Sequence, residues 1–252
     1  VPDPFMVTLF CIPCAGGSAS LYFSWAAALG PTVDVRLLEL PGRGRRIGEP
    51  LLEDYAALAD VLTRDLASAV AATDIAYAVF GHSMGGLLAQ GIARRLATLQ
   101  VRAPCALLVS ACAAPSARQW SPPDDSDQAL IASLRRQGGT ADEVFDCPEL
   151  LELVLPVLRA DYRVCTSFQA QPGLLDMPLH VFGGIDDAMA PAGLTAWRHE
   201  STAPVTVDWF AGGHFYLQPQ QDALMARIAG YLKHYRHGDI KELIPHEALD
   251  NS

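Results

Sequence analysis

The sequence predicts an α/β fold, a mostly parallel sheet with helices wound on both faces. Three observations carry that expectation. Six short apolar runs recur along the chain, each bounded by Gly, Pro or Asp. Several are apolar almost without a break, as strands buried on both faces must be. Between them lie segments whose apolar residues recur at spacings of three and four, the mark of helices that bury one face. Strands alternating with helices in this way build βαβ units.

In chain order the strand-like runs are Met6–Ile12, Val33–Leu40, Ile75–Phe80, Cys105–Ser110, Pro178–Gly184 and Val205–Phe210. The first clear helix is Asp54–Ala72, with Leu58, Val61, Leu62, Leu66 and Val70 on one face. Leu87–Leu99 follows the third strand and Pro219–Tyr235 the sixth. One stretch breaks the rhythm. From Ala111 to Met177 no strand pattern appears, only helical segments near Asp125–Gln137 and Pro148–Phe168 with Gly138-Gly139-Thr140 between them. This reads as an insertion between two strands. The chain is thus expected to be a single domain over residues 1–236. The polar tail His237–Ser252, which holds a Gly and a Pro, is expected to be loosely held.

Composition narrows the function classes. The chain has 252 residues, 50% hydrophobic and 18% charged, far from the disordered class. Its net charge of −10 argues against nucleic acid or an anionic membrane as partner, since both are polyanions. The longest uncharged run, Ile75–Ala93, is broken by His82, Ser83, Gln90 and four glycines, so it does not read as a membrane span. No basic segment precedes the first apolar run, so no secretory signal is expected. Six cysteines are present, four of them in apolar runs where a thiol packs as a small hydrophobe. Reduced thiols and a cytoplasmic setting are the expectation.

Gly81-His82-Ser83-Met84-Gly85 is the most informative segment. It is a G-x-S-x-G elbow that directly follows an apolar strand and directly opens an apolar helix, the context the motif requires. The turn exposes the serine hydroxyl above the sheet, and side chains in place of the two glycines would strike neighbouring elements. A serine needs a base. Among the later histidines, His214 stands out because FAGGHFYL forms a Gly-rich loop after the last strand. His180 falls inside a strand, His199 and His234 on helices, and His237 and His246 in the tail. The acid belongs at the end of the preceding strand, where VFGGIDDAMAP offers Asp186 and Asp187. The spacing from Gly184 to Pro191 selects Asp187, with Asp186 as the alternative. Two oxyanion donors are expected. One is the Met84 amide. The other comes from the loop CIPCAGGSAS, with Ala15 first and Cys14 as runner-up. Cys11-Ile12-Pro13-Cys14 is also a C-x-x-C, but no second such pair completes a metal site.

Together, IPCAGGSAS, LPGRGRR at 40–46, GHSMGG at 81–86, LRRQGGT, LPVLRADYRV at 155–164, FGGIDDAMAP and AGGHFYL form a recognisable set. The chain resembles the type II thioesterases, the stand-alone editing hydrolases of non-ribosomal peptide and polyketide synthesis. Their relatives include the medium-chain acyl-carrier thioesterases of fatty acid synthesis. The resemblance implies an α/β-hydrolase fold whose insertion forms a helical lid over an acyl slot. It implies a Ser83–His214–Asp187 triad that removes acyl groups from phosphopantetheinyl carrier proteins with no metal or diffusible cofactor. Cys14 departs from the larger residue such enzymes often carry, which bears on the pocket's shape. Arg43, Arg45 and Arg46 have two readings of equal weight: attraction of an acidic carrier or prosthetic-arm phosphate, or a solvated loop with an internal Arg–carboxylate pair. Arg135 and Arg136, on an insertion helix, are open to the same two readings. The rival functions are a small-ester hydrolase and a non-catalytic carrier-binding protein.

Overall fold

A computed structural model describes residues 6–235. The expected tail 237–252 lies outside the described residues. Six strands form one sheet: β1 (Val7–Ile12), β2 (Val33–Leu37), β3 (Tyr77–His82), β4 (Ala106–Ser110), β5 (Leu179–Gly184) and β6 (Val205–Phe210). Their order is β2-β1-β3-β4-β5-β6, and every pairing is parallel. β1 therefore has its successor β2 on one side and β3 on the other. The connections leave in opposite directions there, and a crevice opens at the carboxyl ends of β1 and β3.

Alternation along each strand sorts the core into two layers. Phe10 and Ile12 of β1 face Leu58, Leu62 and Leu66 of α2 (Tyr55–Ala71) and Leu88 and Ile92 of α3 (Met84–Thr98). Val7, Leu9 and Cys11 face the opposite layer, with Trp25 of α1 (Trp25–Leu29) and Leu224 and Ile228 of α8 (Gln221–Leu232). Asp54 caps α2 by accepting from the Ala57 N–H at 2.9 Å, which ends the loop where the apolar periodicity begins.

The expected elements are present with shifted edges. β2 stops at Leu37 rather than Leu40, although Leu38 still donates to the Cys11 carbonyl. β3 runs two residues further than the apolar run, through Gly81 and His82, because His82 remains in register with Ser110 of β4. α1 was not expected. Its five residues are too few to show a period, and it is held by Trp25, which packs edge-on to Tyr22 and Phe80.

Between β4 and β5 lie α4 (Asp127–Gln137), α5 (Asp142–Phe145) and α6 (Pro148–Ser167). The described residues there contribute no strand to the sheet, only an isolated bridge from Leu175 to Ser201. Leu130, Leu134, Leu155, Leu158 and Tyr162 form a small core of their own beneath these helices. A short helix, α7 (Pro191–Thr195), follows β5. Among the described residues no helix is long and apolar enough to cross a membrane.

Candidate active site

Ser83 sits between the last residue of β3 and the first of α3, at φ +54° and ψ −116°. A non-glycine residue holds such a conformation only when its surroundings impose it. Here they do. The Ser83 N–H donates to the Ser110 carbonyl at 2.8 Å, and the Ser83 carbonyl accepts from the Gly86 N–H at 2.9 Å. The flanking glycines allow the turn to close: a Cβ on Gly81 would lie 2.0 Å from the Gly85 carbonyl oxygen, and one on Gly85 would lie 2.3 Å from that of Ile12.

His214 follows β6 and brings Nε2 to 3.0 Å from Ser83 Oγ. Its Nδ1 lies 2.8 Å from Asp187 Oδ2. The second Asp187 oxygen, Oδ1, accepts from the Met189 N–H at 3.0 Å. Burial alone would raise the Asp187 carboxyl. The hydrogen bond and charge of His214, with the Met189 amide, outweigh it and hold the carboxyl below its ordinary range. Asp187 is then an ionised acceptor, so His214 Nδ1 must donate to it. When the ring carries a single proton, its Nε2 lone pair is left to accept from the Ser83 hydroxyl. The side chains grade from shielded to accessible: Asp187 is 5% exposed and His214 16%. Asp186, the alternative acid, is exposed, and its backbone N–H donates to the Gly212 carbonyl.

The Met84 amide opens α3, where the N–H groups of the first turn have no partner within the helix. Across the crevice the loop after β1 places Ala15 among engaged neighbours. The Gly16 N–H donates to Asp161 at 2.7 Å, and the Gly17 N–H donates to the Cys14 carbonyl at 3.1 Å. The Ala15 N–H donates to no described residue.

Residues 7–232 match the Thioesterase domain family. The chain belongs to it. Thioesterase PikA5 of Streptomyces venezuelae is 36% identical over 238 residues, covering 90% of this chain and 81% of that protein. The solved type II thioesterase BorB, from the borrelidin biosynthetic cluster, is 42% identical with a TM-score of 0.81, covering 91% of this thioesterase and 94% of BorB. RedJ, from the prodiginine pathway of Streptomyces coelicolor, is 34% identical with a TM-score of 0.83, covering 91% of each chain. The fold of this thioesterase is accordingly the α/β-hydrolase fold.

The remaining candidate residues divide sharply. Arg43 is buried against Asp161 of α6, so it meets no partner at the surface. Arg46 pairs with Glu49 and Asp65. For these two the internal-pair reading holds, and only Arg45 stands exposed. Arg135 lies over the Phe145 ring at 4.1 Å. Cys11 and Cys14 are buried free thiols, and burial pushes Cys14 up to about 12, so neither is a ready thiolate. His180 stacks on Tyr231 and meets Thr206 and Tyr235, a packing role.

Sequence reasoning passed over His82, which it treated as the variable residue of the elbow. His82 is fully buried, with Nδ1 2.9 Å from Ser110 Oγ and its ring 5.2 Å from the rings of both His214 and Phe215. Burial, and after it the nearness of His214, hold it well below the usual imidazole range. It is a neutral ring packed behind His214. Nothing in a single sequence separates such a histidine from an exposed one at the same place.

Proposed function

We propose that this thioesterase hydrolyses acyl groups from the phosphopantetheine thiol of carrier proteins, clearing stalled or wrong acyl groups from a peptide or polyketide synthase. The observation that carries the chemistry is the Ser83–His214–Asp187 chain, with links of 3.0 Å and 2.8 Å in a member of the thioesterase family. The synthase setting is supported by the relatives, which include BorB and RedJ and the gramicidin S biosynthesis protein GrsT of Aneurinibacillus migulanus, 32% identical over 217 residues.

In this reading Ser83 Oγ attacks the thioester carbonyl while His214 Nε2 takes its proton. Asp187 keeps the imidazole in the donating tautomer and stabilises its charged form. The oxyanion meets the amides of Met84 and Ala15. The C–S bond breaks, the carrier thiol leaves with the proton from His214, and an acyl-enzyme remains. Water then gives its proton to His214, attacks the acyl carbon and restores Ser83 as the free acid departs. Serine, imidazole and water balance the reaction, so it calls for no metal or diffusible cofactor. The helices between β4 and β5 act as the lid that shapes the acyl slot. A cytoplasmic setting, where thiols stay reduced, suits six unpaired cysteines.

The test compares kcat/KM on acyl-carrier thioesters with kcat/KM on simple carboxylic esters of the same acyl group. A clear preference for the carrier-bound thioester is expected. Equal or better turnover of the simple ester would move the protein to the general esterases. Failure of a fluorophosphonate to label Ser83, with no turnover of either, would leave it a non-catalytic binder.

A further inference from the structure

One buried ion pair serves neither the triad nor the core of the sheet. Asp161 projects from α6 and is fully buried, and Arg43, from the loop after β2, is 5% exposed. They meet in a bidentate pair, Nη1 to Oδ2 at 2.5 Å and Nη2 to Oδ1 at 2.8 Å. Taking both charges out of water carries a desolvation cost that can exceed their attraction, so stability alone is a weak reason for such a pair. Both partners also grip a third segment. Asp161 Oδ2 accepts from the Gly16 N–H at 2.7 Å, and Arg43 Nη1 donates to the Gly17 carbonyl at 3.2 Å.

That third segment is the turn Cys14-Ala15-Gly16-Gly17, closed by the bond from the Gly17 N–H to the Cys14 carbonyl. Gly16, at its third position, has φ +71°, as a type II turn requires. A type I turn differs chiefly by rotation of the central peptide, here Ala15–Gly16. Rotation would aim the Ala15 carbonyl at the Asp161 carboxylate and forfeit the charge-assisted bond to the Gly16 N–H. Asp161 therefore selects one of the two turns. Arg43 holds the carboxylate in place through its two bonds and opposes the rise that burial imposes on it. Leu158, almost one helical turn before Asp161 on α6, closes over Gly16 on the same side, 3.1 Å from where a Cβ would stand.

We propose that Arg43 and Asp161 are positioning residues that hold the oxyanion loop in its working geometry and make that geometry depend on the seating of α6. The proposal rests on the reading above, in which the Ala15 amide receives the oxyanion. Its consequence is a coupling. When α6 moves away from the sheet, Asp161 and Leu158 go with it, and the turn loses what holds it. The Ala15 N–H lies in the neighbouring Cys14–Ala15 peptide, so it is displaced with the loop rather than turned by rotation of the central peptide. Oxyanion stabilisation is then complete only when the insertion is seated.

The test uses three variants, R43K, D161N and R43M/D161L. R43K keeps the charge and loses the fork. The double variant replaces the pair with apolar groups of similar volume, an exchange that buried ion pairs often tolerate without loss of stability. Four quantities are read: Tm, kcat and KM on an acyl-N-acetylcysteamine thioester, affinity for an alkyl boronic acid, and affinity for the unreactive thioether analogue of the substrate. The boronic acid adds to Ser83 Oγ and draws on the oxyanion donors, whereas the thioether does not. The double variant is expected to hold its Tm while kcat falls by about 10- to 100-fold, short of the loss on deleting an oxyanion donor outright. KM and thioether affinity stay near wild type, and boronate affinity falls in step with kcat. D161N and R43K should show the same division between kcat and thioether affinity, but with a lowered Tm, because each leaves a buried group imperfectly paired; R43K is affected least. A double variant with wild-type Tm and wild-type kcat would overturn the proposal. So would losses in kcat and in both affinities that simply follow Tm. Failure of the boronate to bind wild-type protein at Ser83 would instead overturn the serine mechanism beneath it.

Discussion

The carboxyl edge of the sheet and the insertion that covers it are built by different means. At the edge, backbone geometry does the positioning. Ser83 is held by the carbonyl of Ser110 and the amide of Gly86, Asp187 by the amide of Met189, and the strands that lead to these two, β3 and β5, are buried throughout their length. The insertion is held by side chains. It has a separate small core and surface ion pairs from Arg159 to Asp127 and from Arg163 to Glu53. It meets the site through Asp161 and Leu158 on Gly16, through Ala15 packed against that small core, and through Gly139, which packs on the ring of Phe215 beside His214. Exposed ion pairs are worth little each. On the proposed reading, the reaction geometry belongs to the edge and access to the cover.

The comparison can be broken most decisively at Ser83. Ser83→Ala should leave the fold intact and lower kcat by at least ~10³-fold, as removal of a nucleophile does. A variant keeping a tenth of the activity would show that the edge does not carry the chemistry.

Asp187 comes next. Asp187→Asn should lower kcat by ~10²-fold or more, because the amide favours the wrong histidine tautomer. Asp186→Asn, at an exposed side chain, should stay within about 2-fold, as surface substitutions do. A larger loss at Asp186 would mean that the acid is supplied from the neighbouring position.

A smaller effect separates edge from cover. Arg94 of α3 donates to the carbonyls of Pro172 and Gly173, where the chain leaves the insertion. Replacing Gln171 and Pro172 by glycine should loosen that exit. Turnover of an acyl-carrier thioester should fall by roughly 5- to 10-fold, while a small activated ester is turned over as before, because only the large substrate draws binding energy from the cover. Equal losses on both, with a lower Tm, would make the insertion plain structural cover.

The smallest effect concerns stability and belongs to the sheet alone. Burial, and after it the nearby His234, push His180 of β5 down to about 3. Below pH 6.5 the unfolded chain takes up a proton there that the folded chain refuses until about pH 3, so the unfolded state binds more protons and stability falls as pH drops through that window. The slope from this one group approaches ~1.4 kcal/mol per pH unit. His180→Gln should flatten the Tm–pH curve across the window, and the Gln171/Pro172 variant should not. Parallel curves for wild type and His180→Gln would contradict the neutral buried assignment.

The same division governs how much of the molecule can be read from its residues. The strands announce themselves because burial on both faces demands unbroken apolar runs, and the elbow because the turn at Ser83 demands glycines at fixed offsets. Asp187 and His214 follow strand ends and could be placed by that rule. The Arg43–Asp161 pair could not, although both residues lie in conspicuous motifs. They are 118 residues apart, and no periodicity links a loop after one strand to a helix inside an insertion. The contact of Gly139 with Phe215 is hidden for the same reason. α1 was missed because WAAAL is shorter than two turns, so only the aromatic contacts of Trp25 reveal why it is there. Local physics writes a local signal. Side-chain contacts across the chain write none.

On the proposed mechanism, Ser83 takes the acyl group from a carrier thiol. The direct measurement mixes an acyl-carrier thioester with the protein, quenches in acid within the first turnover, and maps the acyl mass by peptide fragmentation. The expected result is the acyl group on Ser83 in wild-type protein, loss of the same mass from the carrier, and neither event with Ser83→Ala. Release of the acid from the carrier with no acylated Ser83 at any quench time, and undiminished by Ser83→Ala, would contradict it.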